Sequence, residues 1–192
     1  MNLPNKLTVG RIALVPFFVV TLLIEFPLHH LVALILFALA SITDMLDGKI
    51  ARKRGLVTDF GKFADPLADK ILVLAALLCF IQNGYCDCVA VIIVLFREFS
   101  VTSIRLIASA TGKVIAANIF GKVKTVTQMV AIIAILGMQS VLDIGKTGIA
   151  LPESLGFIFY IAGEILIWIS TIFAILSGVI YLLQNKQYIS DK

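Results

Sequence analysis

Charge is scarce in this chain. Only 15% of its 192 residues are Asp, Glu, Lys or Arg, against roughly 25% in an ordinary globular domain. Apolar residues fill the gap: 60% of the sequence is hydrophobic and the mean hydropathy is +1.04. A small water-soluble domain has too much surface to hide such an excess. An ordinary soluble enzyme and a disordered chain are therefore excluded. Cysteine is scarce as well. Cys79, Cys86 and Cys88 cannot build the disulfide framework of a mini-protein, and the lone C-x-C pair lacks a second pair for a zinc site. They read as packing or loop residues. No repeat, low-complexity tract or second soluble domain is visible. What remains is an all-α, polytopic integral membrane protein, with residues 1–192 forming a single transmembrane domain.

A helix needs about 20 apolar residues to cross a hydrocarbon core ~30 Å thick at ~1.5 Å per residue. Six stretches meet this: Leu7–Phe26, His30–Ile50, Pro66–Gln82, Cys88–Ala110, Phe120–Met138 and Phe157–Leu183. Basic residues mark the cytoplasmic side of such chains. Lys6 and Arg11 lie near the start, and Lys49, Arg52, Lys53, Arg54, Lys62 and Lys70 surround the second connection. Arg97, Arg105, Lys113, Lys122 and Lys124 lie in or around the fourth, and Lys186 and Lys192 close the chain; only Lys146 belongs to the opposite side. This alternation predicts six transmembrane helices with both termini cytoplasmic. A cleaved signal peptide is the competing reading, because Ala38-Leu39-Ala40 before Ser41 resembles a cleavage site. That site lies too far along, behind two apolar runs separated by Pro27.

Ionisable residues inside spans are costly and face a cavity or a partner. Counted from His30, Asp44 lies ~21 Å and Asp47 ~26 Å along the second span, at its cytoplasmic third. Spacings of three and four put Asp44, Asp47, Gly48 and Ala51 on one helix face, with Arg52 one turn beyond Gly48. The next helix carries Asp65 and Asp69 four residues apart, again on one face. Four carboxylates from two antiparallel helices repel one another unless a cation sits between them, and all-oxygen ligands favour hard ions such as Mg²⁺ or Mn²⁺. The bland alternative pairs them with Lys49, Arg52, Lys53 and Arg54 at the interface. Gly48, Ala51 and Gly61 equally suit close helix packing or room for a flat base and a diphosphate.

Asp44-x-x-Asp47-Gly48-x-x-Ala51-Arg52, then eight residues, then Gly61-x-x-x-Asp65-x-x-x-Asp69 resembles the signature of the CDP-alcohol phosphatidyltransferase family. All eight fixed positions agree, a coincidence of order 10⁻⁹ at one start point given typical residue frequencies. The resemblance implies transfer of a phosphatidyl group from CDP-diacylglycerol to an alcohol, with release of CMP, inside a six-span homodimer. It also implies a pair of Mg²⁺ or Mn²⁺ ions held by Asp44, Asp47 and Asp65. Asp69 would be the catalytic base and touch the second ion. Asp44, Asp47, Gly48, Ala51, Arg52 and Gly61 would border the CDP moiety.

The flanking segments bear on the acceptor. Asn2-Leu3-Pro4-Asn5-Lys6-Leu7-Thr8 through Arg11, and Arg97-Glu98-Phe99 followed by Arg105, Gly112 and Gly121-Lys122-Val123-Lys124-Thr125, resemble the bacterial phosphatidylglycerophosphate synthases of that family. This implies glycerol 3-phosphate as the acceptor. On physical grounds, Arg105, Lys122 and Lys124 flank one cytoplasmic connection and suit a phosphate, although positive-inside bias also accounts for them. Arg97, ~14 Å into its span, needs a partner or water; the adjacent Glu98 is expected to face another way. Asn5, Thr8 and Arg11 form a nucleotide lid or an interface anchor. His29 and His30 read as interfacial polar residues at the outer side, Glu164 as a water-facing group at the start of the sixth span, and Trp168 as packing.

The leading reading is thus a transferase of the cell membrane whose cavity faces the cytoplasm, with no nucleic-acid partner. The same chemistry with phosphatidylglycerol, inositol phosphate or serine is the first alternative. A divalent-cation transporter is the second. Transport sites tend to lie at the midplane between repeated halves, whereas these aspartates lie towards one side and the halves show no repeat.

Overall fold

The computed structural model describes residues 3–54, 59–110, 115 and 119–186, with side chains for 5–44, 67–68, 70–109, 115 and 119–186. Among the described residues, six helices follow one another: α1 (Leu3–Leu23), α2 (His29–Arg54), α3 (Asp59–Gln82), α4 (Cys88–Ala110), α5 (Ile119–Lys146) and α6 (Leu155–Gln184). No strand occurs among the described residues. The all-α expectation therefore holds, and each helix overlaps one of the six apolar runs.

Among the described residues, three segments are long and apolar enough to cross a membrane: Asn5–Leu23, Ile119–Lys146 and Leu155–Gln184. Shorter apolar stretches, His29–Asp44 and Lys70–Gln82, lie in α2 and α3 and stop where the described side chains stop. α4 carries Arg97, Glu98 and Arg105 within its length. Large apolar side chains cover the outside, including Phe17 (65% exposed), Phe96 (71%) and Phe157 (70%). Such an exterior suits lipid and not water, which marks a membrane protein.

The chain divides into two units, Met1–Asn83 with Ile132–Phe159, and Gly84–Ala131 with Tyr160–Lys192. In the first, α1 packs against both α2 and α3. Ala33, Phe37 and Ala40 recur at helical spacing on α2 and are fully buried; small residues let backbones approach where lipid supplies no hydrophobic drive. Phe18 of α1 meets Phe37 with ring centroids 5.8 Å apart and a tilt of 44°, a geometry aromatic quadrupoles favour. Asn83 Nδ2 donates to the Leu22 carbonyl at 3.0 Å, satisfying one of the acceptors that the end of α1 leaves open.

In the second unit, Asp87 caps α4: its Oδ1 accepts from the Val89 amide at 3.1 Å. Val101, Ile104 and Tyr181 form a buried cluster against which Ile115 and Leu182 pack.

Several expectations change. The fifth helix does not stop at Met138 but runs to Lys146; Ser140 donates back to the Leu136 carbonyl of the same helix, and Asp143 finds His30 of α2. His29 and His30 are buried, not interfacial. Glu164 lies well inside α6, whose first residue is Leu155. Trp168 is 37% exposed and so is no core packing residue. The cysteines are free thiols, Cys79 and Cys86 buried and Cys88 exposed.

Candidate active site

The site begins with the first helix. Asn5, Thr8 and Arg11 lie on one side of α1 and are all buried. Arg11 is only 2% exposed, and a guanidinium this deep in an apolar bundle requires a carboxylate. It finds Asp44 of α2, with Nη1 donating to Oδ1. Asp44 keeps 41% of its side chain exposed, so the pair is a buried cation holding a partly hydrated acid. Sequence reasoning assigned Arg11 to a lid or an anchor and missed this partnership. Its signal was present: an arginine in an apolar helix, one turn past a threonine and two past an asparagine.

Asp47, Gly48, Ala51 and Arg52 continue along α2, and Gly61, Asp65 and Asp69 lie on α3. Their side chains are outside the described residues. The backbone shows both groups on uninterrupted helix, as the three- and four-residue spacings require for a shared face.

The second unit holds its own charged group. Glu98 accepts from Arg97 Nη1 and from Lys124 Nζ, both at 2.7 Å, and Arg97 Nη2 donates to Ser177 Oγ. The expectation that Glu98 turns away from Arg97 fails, because the long arginine side chain curls back to its neighbour. Gly178 makes room for it: a Cβ there would lie 3.1 Å from Arg97 Cγ. Two cations around one carboxylate leave this buried group with a surplus positive charge. Arg97 Nε and Gln128 Nε2 are buried without a hydrogen-bond partner among the described residues.

Arg105 is exposed; its Nε donates to the Tyr181 hydroxyl at 3.2 Å, and its guanidinium lies 5.5 Å from that ring's centroid. Lys122 is exposed too, whereas Lys124 is buried on Glu98. The three basic residues thus differ in kind: two accessible cations, one committed to an internal acid. The tyrosine orients Arg105 through a hydrogen bond and its ring face.

A third cluster was not foreseen. His30 Nδ1 lies 2.8 Å from Asp143 Oδ2, which also accepts from the His30 amide at 3.2 Å. His29 Nε2 lies 3.8 Å from the same oxygen. The only sequence signal was the serine one turn before Asp143, too common a pattern to single it out.

The model of the CDP-alcohol phosphatidyltransferase family matches residues 1–176. A CDP-diacylglycerol–glycerol-3-phosphate 3-phosphatidyltransferase of Bacillus subtilis (strain 168) is 42% identical over 197 residues, spanning 96% of this chain and 95% of the relative. Proteins of the same name from Rickettsia bellii (strain RML369-C) and Rickettsia felis (strain ATCC VR-1525 / URRWXCal2) are 37% and 36% identical, each over 97% of both chains. With its eight signature positions on two successive helices and a family match covering most of its length, the chain belongs to the CDP-alcohol phosphatidyltransferase family.

Proposed function

We propose that this chain transfers the phosphatidyl group of CDP-diacylglycerol to glycerol 3-phosphate, giving phosphatidylglycerophosphate and CMP. One observation carries the reading. Relatives named for this reaction align with the chain over nearly their whole length, and the complete aspartate signature lies inside the stretch matched by the family model.

The acceptor hydroxyl oxygen attacks the phosphorus that bears diacylglycerol. The bond from that phosphorus to the oxygen bridging to CMP breaks, and its electron pair leaves with CMP. Asp69 takes the hydroxyl proton as general base. Asp44, Asp47 and Asp65, with Asp69 beside them, form an all-oxygen donor set that fits Mg²⁺ or Mn²⁺. Asp44 supports this fit: Arg11 holds one of its oxygens while the side chain stays partly open. Bound as a pair, such ions neutralise the diphosphate and the leaving group. Gly48, Ala51, Arg52 and Gly61 border the CDP moiety, and Asn5 and Thr8 line the same side of α1 as Arg11.

For the acceptor, Arg105 and Lys122 offer exposed cations to its phosphate. Lys124, held by Glu98, contributes through the local positive field. In the membrane, all six helices cross with both termini cytoplasmic, so the carboxylates face the side from which a soluble acceptor arrives. Residues 1–192 act as one transmembrane domain, and two copies associate, as the family resemblance implies.

The test is CMP release by detergent-purified protein given CDP-diacylglycerol and Mg²⁺ or Mn²⁺, with EDTA as control. Metal-dependent release with glycerol 3-phosphate, and not with inositol phosphate, serine or phosphatidylglycerol, is expected. Turnover with another alcohol would keep the aspartate chemistry and remove Arg105 and Lys122 from the acceptor's phosphate. Absence of turnover with every acceptor, in folded protein that binds divalent metal, would overturn the transferase reading in favour of transport.

A further inference from the structure

We infer that His29, His30 and Asp143 form a binding site for a first-row transition-metal ion, Zn²⁺ in chemical class, separate from the four aspartates. All three side chains are buried, and their ligand atoms lie within 4.8 Å of one another. Neighbouring positions on a helix diverge by about 100°, yet these two imidazoles lie 3.9 Å apart, centroid to centroid. The turn before them explains how. Leu28 holds φ at 61°, a left-handed conformation that leucine adopts at a cost of roughly 1–2 kcal/mol. The histidines open α2 directly after it.

The hydrogen-bond roles point to a cation. His29 Nδ1 lies 3.0 Å from the Thr21 carbonyl. A carbonyl oxygen only accepts, so Nδ1 carries its hydrogen and Nε2 of the neutral ring is a lone pair. That lone pair faces Asp143 Oδ2 at 3.8 Å. Two acceptors confronting each other in a buried place are unfavourable unless a positive ion lies between them. A ring nitrogen fixed by a backbone carbonyl on its far side is also how metal-binding histidines are oriented. His30 Nδ1 lies 2.8 Å from the same oxygen. Around Zn²⁺, with bonds of ~2.0–2.2 Å, tetrahedral ligand atoms stand about 3.4 Å apart, so one short contact opens slightly and one longer contact tightens. The His30 proton passes through solvent to Nε2 as Nδ1 takes the metal.

Two imidazoles and one carboxylate suit zinc better than the all-oxygen demand of Mg²⁺. His29 and Asp143 also line a cavity of about 250 Å³ with Glu25, Lys146 and Thr147, among others, which has room for a water ligand. Lys146 Nζ, at 3.5 Å from Asp143 Oδ1 and 74% exposed, swings away when the ion binds. The ion would pin the α1–α2 turn to the end of α5.

Full-length protein is stripped with chelator, returned to excess Mg²⁺ so that the carboxylate site is occupied, and titrated with Zn²⁺. About one Zn²⁺ per chain should bind, with X-ray absorption showing imidazole and oxygen ligands near 2.0–2.1 Å and no sulfur near 2.3 Å. His29→Gln and His30→Gln each remove a ligand and should weaken binding by more than the about 10–100-fold that loss of a supporting group alone costs, whereas Asp44→Asn should retain it. No uptake, sulfur ligation, or uptake lost in Asp44→Asn but kept in both histidine variants would overturn the assignment. The absorption spectrum of the unmutated protein decides the matter even if a histidine variant fails to fold.

Discussion

Well along α2, Asp44 meets Arg11 with 41% of its side chain exposed; at the first turn of the same helix, His29 and His30 close around an Asp143 that is only 4% exposed. Both places hold an aspartate against a nitrogen partner from another helix. They differ in which partner is hidden. Near Asp44 the cation is buried and the acid stays hydrated, so the carboxylate keeps capacity for further ligands. Around Asp143 the acid is enclosed, and its hydrogen bonds go to groups of the protein. An acid kept open on its helix is suited to substrate chemistry, and one enclosed between helices to joining those helices, directly or through the ion inferred above.

The largest expected effect lies at the open site. Asp69→Asn and Asp44→Asn should each lower turnover by about 10²–10⁴-fold, the range for loss of a group acting on the reacting atoms. Asp69→Asn should bind metal and CDP-diacylglycerol better than Asp44→Asn does, measured by calorimetry. Equal loss of metal affinity would refute the division of labour between ligands and base. At the enclosed site, Asp143→Asn should cost about 1–3 kcal/mol of stability, because the amide keeps one acceptor oxygen but loses the charge that strengthens the bonds from the His30 ring and backbone amide. Turnover per folded molecule should change little. A thermal melt in detergent alongside CMP release checks this, and abolished turnover in folded Asp143→Asn would erase the contrast.

In the second unit, Arg105→Ala should raise the KM for glycerol 3-phosphate by about tenfold, the scale of one charge-assisted hydrogen bond, and leave that for CDP-diacylglycerol near its original value. An effect confined to the lipid substrate would move Arg105 out of the acceptor pocket. The smallest effect concerns thiols and sharpens the topology. Burial first, then the nearby Glu164 and Asp87 carboxylates, push the Cys86 thiol up to about 12. It therefore stays protonated and unreactive at pH 8. Exposed Cys88 should take up one maleimide while Cys86 takes none. A membrane-impermeant maleimide applied to intact cells should reach Cys88 if the termini are cytoplasmic, and protection in cells with labelling after lysis would invert the orientation.

Periodicity and apolar run length were enough to place the six helices, since an excess of apolar residues leaves a chain few alternatives to helices that satisfy their own backbone. The helix ends were harder to read. α5 passes Met138 because polarity ends an apolar run without ending a helix whose polar groups are satisfied, Ser140 by its own helix and Asp143 by His30. Spacing likewise marked the carboxylates, because three- and four-residue intervals have direct meaning on a helix surface.

Long-range pairings were not legible. Arg11 meets Asp44 across 33 residues, Lys124 meets Glu98 across 26, and His30 meets Asp143 across 113. Nothing in the local pattern around His30 or Asp143 announces the other. The sequence by itself determined a helical membrane chain, its family signature and the residue types available for chemistry, because composition and short spacings act locally. Only the tertiary structure decided which charges are buried, which stay open and which pair. Burial and pairing depend on distances through space, set when separate helices pack and strip water from the groups between them.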